Sequence, residues 1–206
     1  RKISFSHNVI KMNVGEETDP EVIIDPEDAT LYEGFAFTNL NPELMTVSED
    51  GHLIAEHPGY GKVRLKSNGF KDVLAVRIYS PLTGVFWDGE EEFTIVRGES
   101  RHFSYSFEPA DTTDDTTPSF SVSDPALASI DEDGTFTALN SGDVSVSLRV
   151  GDYAFSSLAH IIVPLQGIYL SFEALTVRAG DTLTIPVSFF PEDTTEDRTV
   201  SWSSDN

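Results

Sequence analysis

Apolar and polar residues alternate over short stretches of the chain, and this period of two is typical of half-buried β-strands. The run Ile10-Lys11-Met12-Asn13-Val14 shows the alternation near the start, and residues Val144 to Val150 show it again. Turn signals such as Asp50-Gly51 and Asn68-Gly69 separate the runs, and glycine accepts the positive φ that tight hairpin turns require. No stretch has convincing helical periodicity. The pattern therefore predicts an all-β fold.

The same pattern returns along the chain every 82 or 83 residues. Two sets of landmarks recur at this spacing: Gly15, Gly98 and Gly180 after one apolar run, and Pro26, Pro109 and Pro191 after the next. A fixed period of this length indicates an array of units that are each one domain in size. We predict a first copy at 1–82, a second at 83–165, and the first half of a third at 166–206.

The two predicted junctions are short and alike. They read Ser80-Pro81-Leu82-Thr83-Gly84 and Val163-Pro164-Leu165-Gln166-Gly167, and neither is a long Gly/Ser coil. We expect each junction to pass directly from the last strand of one copy into the next copy, with Leu82 and Leu165 available to pack between domains. A semi-rigid rod is the resulting expectation.

The two ends of the sequence suggest that it is part of a longer protein. Arg1-Lys2 stands directly before a strand-like run, as in a piece cut from a longer precursor. The half copy at 166–206 leaves an apolar face to be covered. Either the sequence continues beyond Asn206, or this half copy packs against a neighbouring chain.

Composition narrows the function classes. The chain has 35 acidic and 13 basic residues, a net charge of −22, and 39% apolar residues. Nucleic acid and anionic lipid require clustered Lys and Arg, so this balance predicts neither partner. No apolar run approaches the roughly 18 residues of a membrane span. There is no cysteine, which excludes disulfides, thiolate metal sites and thiol nucleophiles.

No constellation of residues predicts catalysis or a cofactor. The five histidines lack metal-binding spacing, and no serine stands in a nucleophile-elbow motif. The Asp131-Glu132-Asp133-Gly134 run superficially resembles a calcium loop, but it lacks the remaining ligands and is predicted to be a hairpin turn. Asp111, Asp114 and Asp115 form a second acidic set in a polar loop near a junction. A solvated loop explains it, and weak calcium binding there is a second interpretation.

Aromatic residues fall into two groups. Those in strand phase are predicted to lie in the cores: Phe93, Phe103, Phe107, Phe120, Phe136 and Trp202. Tyr32, Phe35 and Tyr60 are predicted to lie in loops of the first copy. There they either seal a domain junction or stack on a sugar or a partner protein.

Several of these motifs together resemble a known family. The run Thr199-Val200-Ser201-Trp202-Ser203-Ser204-Asp205-Asn206, the Phe107-Glu108-Pro109 segment, and residues 128–146 resemble bacterial immunoglobulin-like domains of group 2. The first copy departs most, with Phe37-Thr38-Asn39 where Trp-Ser-Ser is usual. The resemblance covers the chain as tandem copies and implies Greek-key β-sandwiches of roughly seven strands.

The resemblance also implies a function class. Similar modules occur in bacterial surface adhesins, phage tail proteins and glycan-degrading enzymes, mostly as spacers or binding modules. We therefore expect a non-catalytic spacer or adhesion segment of a secreted or cell-surface bacterial protein, with a protein or glycan partner. The alternative is a carbohydrate-binding module that uses the loop aromatics Tyr32, Phe35 and Tyr60.

Overall fold

The computed structural model of the chain describes residues 2–27 and 34–205. All regular structure in these residues is β-strand, and they form no helix, so the predicted all-β fold is confirmed. The chain divides into two compact units, one of residues 1–86 with 106–116 and the other of residues 87–105 with 117–206. The copy boundaries at 82 and 165 stay a prediction.

Nine strands belong to the first copy of the pattern. They are β1 (Lys2–Phe5), β2 (Val9–Asn13), β3 (Glu17–Thr18), β4 (Val22–Asp25), β5 (Ala36–Asn39), β6 (Met45–Val47), β7 (Leu53–Ala55), β8 (Gly59–Ser67) and β9 (Phe70–Tyr79). They form a four-stranded sheet in the order β2-β9-β8-β5, a three-stranded sheet β3-β7-β6, and the pair β1-β4. The strand β2 runs parallel to β9, while the other pairs are antiparallel.

The second copy repeats this arrangement strand for strand. Its strands are β10 (Gly84–Trp87), β11 (Glu92–Val96), β12 (Ser100–His102), β13 (Tyr105–Glu108), β14 (Ser119–Val122), β15 (Ala128–Ile130), β16 (Thr135–Ala138), β17 (Gly142–Val150) and β18 (Tyr153–Ile162). The sheets are β11-β18-β17-β14 and β12-β16-β15, with the pair β10-β13, and β11 again runs parallel to β18. The repeated sequence therefore gives a repeated topology.

Two separate hydrophobic cores fill the space between the sheets. The first takes Met45 and Leu53 from the three-stranded sheet and Val63, Leu65 and Val76 from the four-stranded sheet. These side chains are at most 1% exposed. A core built from the facing sides of two sheets is the arrangement of a β-sandwich.

The second core is built around aromatic rings. Phe103 lies at its centre, with ring centroids 5.3 Å from Trp87, 5.6 Å from Phe93 and 6.5 Å from Phe136. Phe103 and Phe136 are fully buried and Phe93 is 7% exposed, as predicted. No residue is shared between the two cores.

The predicted hairpin turns form where the sequence signals them. Asn68 and Gly69 connect β8 to β9 with φ of 47° and 80°, the two positive values of a type I′ turn. Gly51 and Gly134 close the β6-β7 and β15-β16 hairpins, also with positive φ. At the second of these, Asp131 accepts hydrogen bonds from the backbone N–H groups of Asp133 and Thr135, so its carboxylate stabilises the turn.

The third copy contains the pair β19 (Gly167–Leu170) and β20 (Val187–Phe190). The sequence also predicts a strand at Leu175-Thr176-Val177, and this is wrong, because residues 171–186 are not assigned to a strand. The corresponding strands β2 and β11 pair with the last strand of their own copy, and residues 166–205 include no counterpart of that strand. For the same reason Trp202, predicted to be a core residue, is 56% exposed.

Candidate functional site

The predicted contact residues of the first copy have different environments. Tyr32 lies outside the described residues. Phe35 is 36% exposed, and its ring meets that of Phe37 edge to face at 6.3 Å. Tyr60 is 52% exposed, but its predicted place in a loop is wrong, because it lies within β8 directly opposite Arg77 on β9. The flanking Gly59 and Gly61 resemble a turn signal in the sequence, yet both belong to the strand.

Phe35 and Tyr60 do not form a common aromatic platform. Ala36, the neighbour of Phe35, pairs with Lys66 near the far end of β8. Six residues of extended strand separate Lys66 from Tyr60, a distance of roughly 20 Å. Any contact role of these two aromatic residues is therefore separate.

A cluster of hydrogen bonds holds the end of β9 within the first compact unit. Ser80 follows β9 and is 3% exposed. Its carbonyl oxygen accepts from the hydroxyl of Thr112 and from the backbone N–H of Thr113, both at 2.8 Å. The N–H of Ser80 donates to Oγ1 of Thr113 at 3.1 Å. Two adjacent threonines thus satisfy both backbone groups of one buried residue.

The same cluster recurs within the second compact unit, at the end of β18. The carbonyl oxygen of Val163 accepts from the Thr194 hydroxyl at 2.8 Å and from the Thr195 N–H at 2.9 Å. The N–H of Val163 donates to Oγ1 of Thr195 at 2.9 Å. Thr194 is 6% exposed, so its hydroxyl is removed from competing water. We call the two sets, Thr112-Thr113 on Ser80 and Thr194-Thr195 on Val163, the threonine clamps.

The acidic residues beside the clamps take part in the same contacts. A carboxylate oxygen of Asp114 accepts from the backbone N–H of Leu82 at 2.8 Å, and Arg97 forms an ion pair with Asp193. The Arg97 guanidinium holds the pKa of Asp193 below its ordinary value. No group of three or more His, Asp or Glu side chains among residues 2–27 and 34–205 is arranged to hold a metal ion. Weak calcium binding in these loops stays a prediction, as does interdomain packing by the half-buried Leu82 and Leu165.

Two histidines each bridge a pair of carboxylates. His160 on β18 lies 2.8 Å from Asp143 and 3.5 Å from Glu92, which belong to the two neighbouring strands. Hydrogen bonding to Asp143, and then to Glu92, raises the pKa of His160. His52 lies 2.8 Å from Asp19 and 3.3 Å from Glu17, and the hydrogen bond to Asp19 is the main cause that raises its pKa.

The outward side of the first four-stranded sheet carries the largest group of cations in the chain. Six of the 13 basic residues lie there, on three of its strands: Lys11 on β2, Lys62, Arg64 and Lys66 on β8, and Lys71 and Arg77 on β9. They alternate with buried residues such as Val63 and Leu65, so all six side chains stand on the same side. We call this surface, together with Tyr60, the basic face.

The basic face has no compensating negative charge. Its four strands contain a single acidic residue, Asp72, which is on the other side of β9 and accepts a hydrogen bond from the backbone of Phe5. Over the described part of the chain, no carboxylate comes within ion-pair distance of any of the six cations. The inference from net charge that the chain lacks clustered Lys and Arg is therefore wrong.

Sequence reasoning missed both features. The signal for the clamps is the tripeptide Asp-Thr-Thr, which occurs at Asp111 to Thr113 and again at Asp193 to Thr195. The signal for the basic face is the alternation of Lys62, Arg64 and Lys66 along one strand. Its full extent appears only when β9 and β2 are paired beside β8.

Comparison with known proteins assigns the second copy to a family. Residues 90–159 match the family model of the bacterial Ig-like domain (group 2). These residues are a bacterial Ig-like domain of group 2. The resemblance read from the sequence is thereby confirmed over the stretch from β11 to β18. No curated protein shows significant similarity to the chain.

Solved structures with a similar arrangement share little sequence with this Ig-like chain. Domains 1–6 of the surface layer protein SbsC match at 16% identity with a TM-score of 0.38, and the match covers 66% of this chain and 21% of SbsC. The insect immune protein hemolin matches at 12% identity with a TM-score of 0.41, covering 75% and 45% of the two chains. The chain thus spans about a fifth of the SbsC structure it matches. None of the described residues forms a helix long and apolar enough to span a membrane.

Proposed function

We propose that this chain is a non-catalytic spacer or adhesion segment of a secreted or cell-surface bacterial protein. It holds neighbouring parts of that protein at a defined reach and presents Ig-like surfaces to a partner. The match of residues 90–159 to bacterial Ig-like domains supports the domain type, and Ig-like domain families are generally non-catalytic. The observation that carries the proposal is the recurrence of the threonine clamp.

The clamps support a spacer because they fix the backbone just where one copy of the pattern gives way to the next. Ser80 and Val163 stand at corresponding places, 83 residues apart, and each has both backbone groups bonded to a pair of threonines. A net contribution of about 1 kcal/mol for each hydrogen bond suffices to oppose local fraying. A junction that is held in the same way at both places favours a chain of fixed reach over a flexible tether.

The test removes the hydroxyl groups of one clamp and measures the order of the junction. Thr112→Val with Thr113→Val keeps the side-chain shape but deletes two of the three hydrogen bonds to Ser80. The matched control is Thr116→Val, a half-buried threonine of the same loop. The backbone order parameters of Leu82 and Thr83, from ¹⁵N relaxation, are expected to fall in the double variant and to stay unchanged in the control.

A second measurement addresses reach directly. Spin labels on one exposed site in each of the first two copies report the width of the distance distribution by electron resonance. We expect a narrow distribution for the native chain and a broader one for the double variant. An equally broad distribution in both proteins would refute the spacer proposal. Labelling of intact bacterial cells by an antibody against this segment tests the surface location, and labelling only after permeabilisation contradicts it.

Carbohydrate binding is the second candidate. The observation that favours it is Tyr60, an aromatic side chain that is 52% exposed in the middle of a regular strand. The apolar face of a sugar ring packs against such a ring, as in many sites where an aromatic residue has one wet side. Tyr60→Ala should abolish retention on a glycan affinity gel if this residue binds sugar, while Phe35→Ala should leave it unchanged.

A further inference from the structure

We propose that the basic face of the first copy binds a linear acidic polysaccharide. The face is the outward side of β2, β8 and β9, with six cations around the exposed ring of Tyr60. The ammonium group of Lys62 lies 5.9 Å from the centroid of that ring, and the guanidinium carbon of Arg77 lies 6.0 Å from it. The proposal does not depend on the threonine clamps, so either one can fail alone.

The first argument is that the arrangement of cations works against the fold. Lys66 stands directly opposite Lys71, and Lys11 stands directly opposite Arg77. Like charges at directly opposed positions of a sheet are destabilising. Outside this face the chain has 35 acidic residues and only seven basic ones, so acidic side chains to offset the repulsion are plentiful in the sequence. None of them is placed here.

The second argument comes from the second copy, which forms the same sheet without this charge. The positions of Lys62 and Arg64 on β8 correspond to Ser145 and Ser147 on β17, 83 residues later. The position of Tyr60 corresponds to Asp143. Because the same strands pair in the same order with serine and aspartate at these places, the fold itself does not require cations there.

The third argument selects the occupant. A clustered positive surface on an acidic protein is complementary to a polyanion, and at physiological salt the screening length of about 8 Å limits repulsion from the rest of the chain. Four of the six cations are lysines, a residue that is depleted from protein–protein interfaces. A protein partner is therefore disfavoured. The exposed tyrosine suits a polymer of sugar rings, which offers apolar ring faces between its charges.

Charge density separates a polysaccharide from a nucleic acid. Duplex DNA carries one negative charge per roughly 1.7 Å of its axis, and the remaining acidic surface of this chain repels such a polymer strongly. A polyuronate carries one carboxylate per sugar ring, so its charges are further apart. The flat face also offers no helix or ribbon to enter a groove of DNA.

The experiment measures the affinity of the whole chain for polygalacturonate by isothermal titration at two salt concentrations. Dextran serves as the neutral polysaccharide and a 20-base-pair DNA duplex as the competing polyanion. We expect binding to polygalacturonate that weakens as salt rises, no binding to dextran, and weaker binding to DNA. No binding to polygalacturonate, or tighter binding to DNA, overturns the proposal.

Two variants of equal charge localise the binding. Lys62→Ser with Arg64→Ser introduces the residues that the second copy carries, and Arg149→Ser with Arg178→Ser removes the same charge elsewhere. The first is expected to lose at least about tenfold in affinity, on the scale of one such contact per cation at an anionic surface, and the second less than twofold. Equal losses in both variants would show non-specific attraction and sink the proposal.

A reciprocal variant keeps the test informative if the first pair of substitutions impairs folding. Ser145→Lys with Ser147→Arg places cations on the corresponding strand of the second copy without touching the first. We expect polygalacturonate affinity to rise at least threefold. Tyr60→Ala, compared with Tyr60→Phe, then tests the ring, and only the alanine variant should lose affinity. Unchanged affinity in the reciprocal variant, or equal affinity in the two Tyr60 variants, contradicts the proposal.

Discussion

Truncation of Phe103 should destabilise one core and leave the other intact. Its ring is fully buried and contacts Trp87, Phe93 and Phe136, with centroid separations of 5.3 to 6.5 Å. Replacement of a buried Phe by Ala costs about 3–5 kcal/mol, because apolar contact is lost and a cavity remains. With a urea dependence of about 1.5 kcal/mol per molar for a domain of this size, the midpoint should fall by about 2–3 M.

Trp87 gives this prediction a local probe. The chain has two tryptophans, and the second, Trp202, is 56% exposed and should change little on unfolding. Fluorescence therefore follows the second core. Amide hydrogen exchange along β8 and β17 follows the two cores separately. In Phe103→Ala we expect protection to fall along β17 and to stay unchanged along β8.

Two controls define what would refute this reasoning. Phe172→Ala makes the same chemical change at a side chain that is 47% exposed, and it should shift stability by no more than about 0.5 kcal/mol. Phe103→Leu keeps a large apolar side chain and should cost about 1–2 kcal/mol. Equal loss of protection in β8 and β17 would mean that the two cores are not independent. An unchanged midpoint in Phe103→Ala would mean that this ring is not at the centre of a core.

Two further predictions concern a turn and a titrating side chain. Gly134→Ala should destabilise the second copy by more than about 1 kcal/mol, because φ is 85° and the new Cβ would lie 2.9 Å from the carbonyl oxygen of Phe103; the control Gly151→Ala, where no atom lies within 4 Å, should cost less in thermal unfolding. The raised pKa of His160 should make its carboxylate contacts stabilise the fold below the unfolded-state pKa of about 6.5, and this stabilisation should be lost as pH rises through the folded-state pKa. NMR titration should show the pKa of His160 falling in Asp143→Asn, and an unchanged pKa contradicts the assigned cause.

Local signals account for most of the fold that could be predicted. The alternation of Val63 and Leu65 with charged residues marks β8, and the positive φ available to Gly69 marks the turn that follows it. These features depend on a few neighbouring residues, so a single sequence contains them. The parallel pairing of Val9 with Ala75 does not, because it joins residues far apart in the chain. No local periodicity specifies such a register.

The candidate sites were less predictable for the same reason. Thr112 and Thr113 look like ordinary polar loop residues, and only the folded chain brings them to the end of β9. Tyr60 was misplaced because its glycine neighbours suggest a turn. In the strand, those glycines leave room for other side chains, since a Cβ on Gly61 would lie 2.6 Å from the terminal carbon of Met45.

The differences between the copies indicate where function is located in this chain. Inward positions keep their character from copy to copy: Leu65 corresponds to Leu148, and both are fully buried. Outward positions do not, since Arg64 corresponds to Ser147 in a sheet with the same strand order. Packing restricts the inward set, whereas the outward set is free to change without loss of the fold. A cluster of unpaired like charges that is destabilising and confined to one copy is therefore best explained by a partner that binds there.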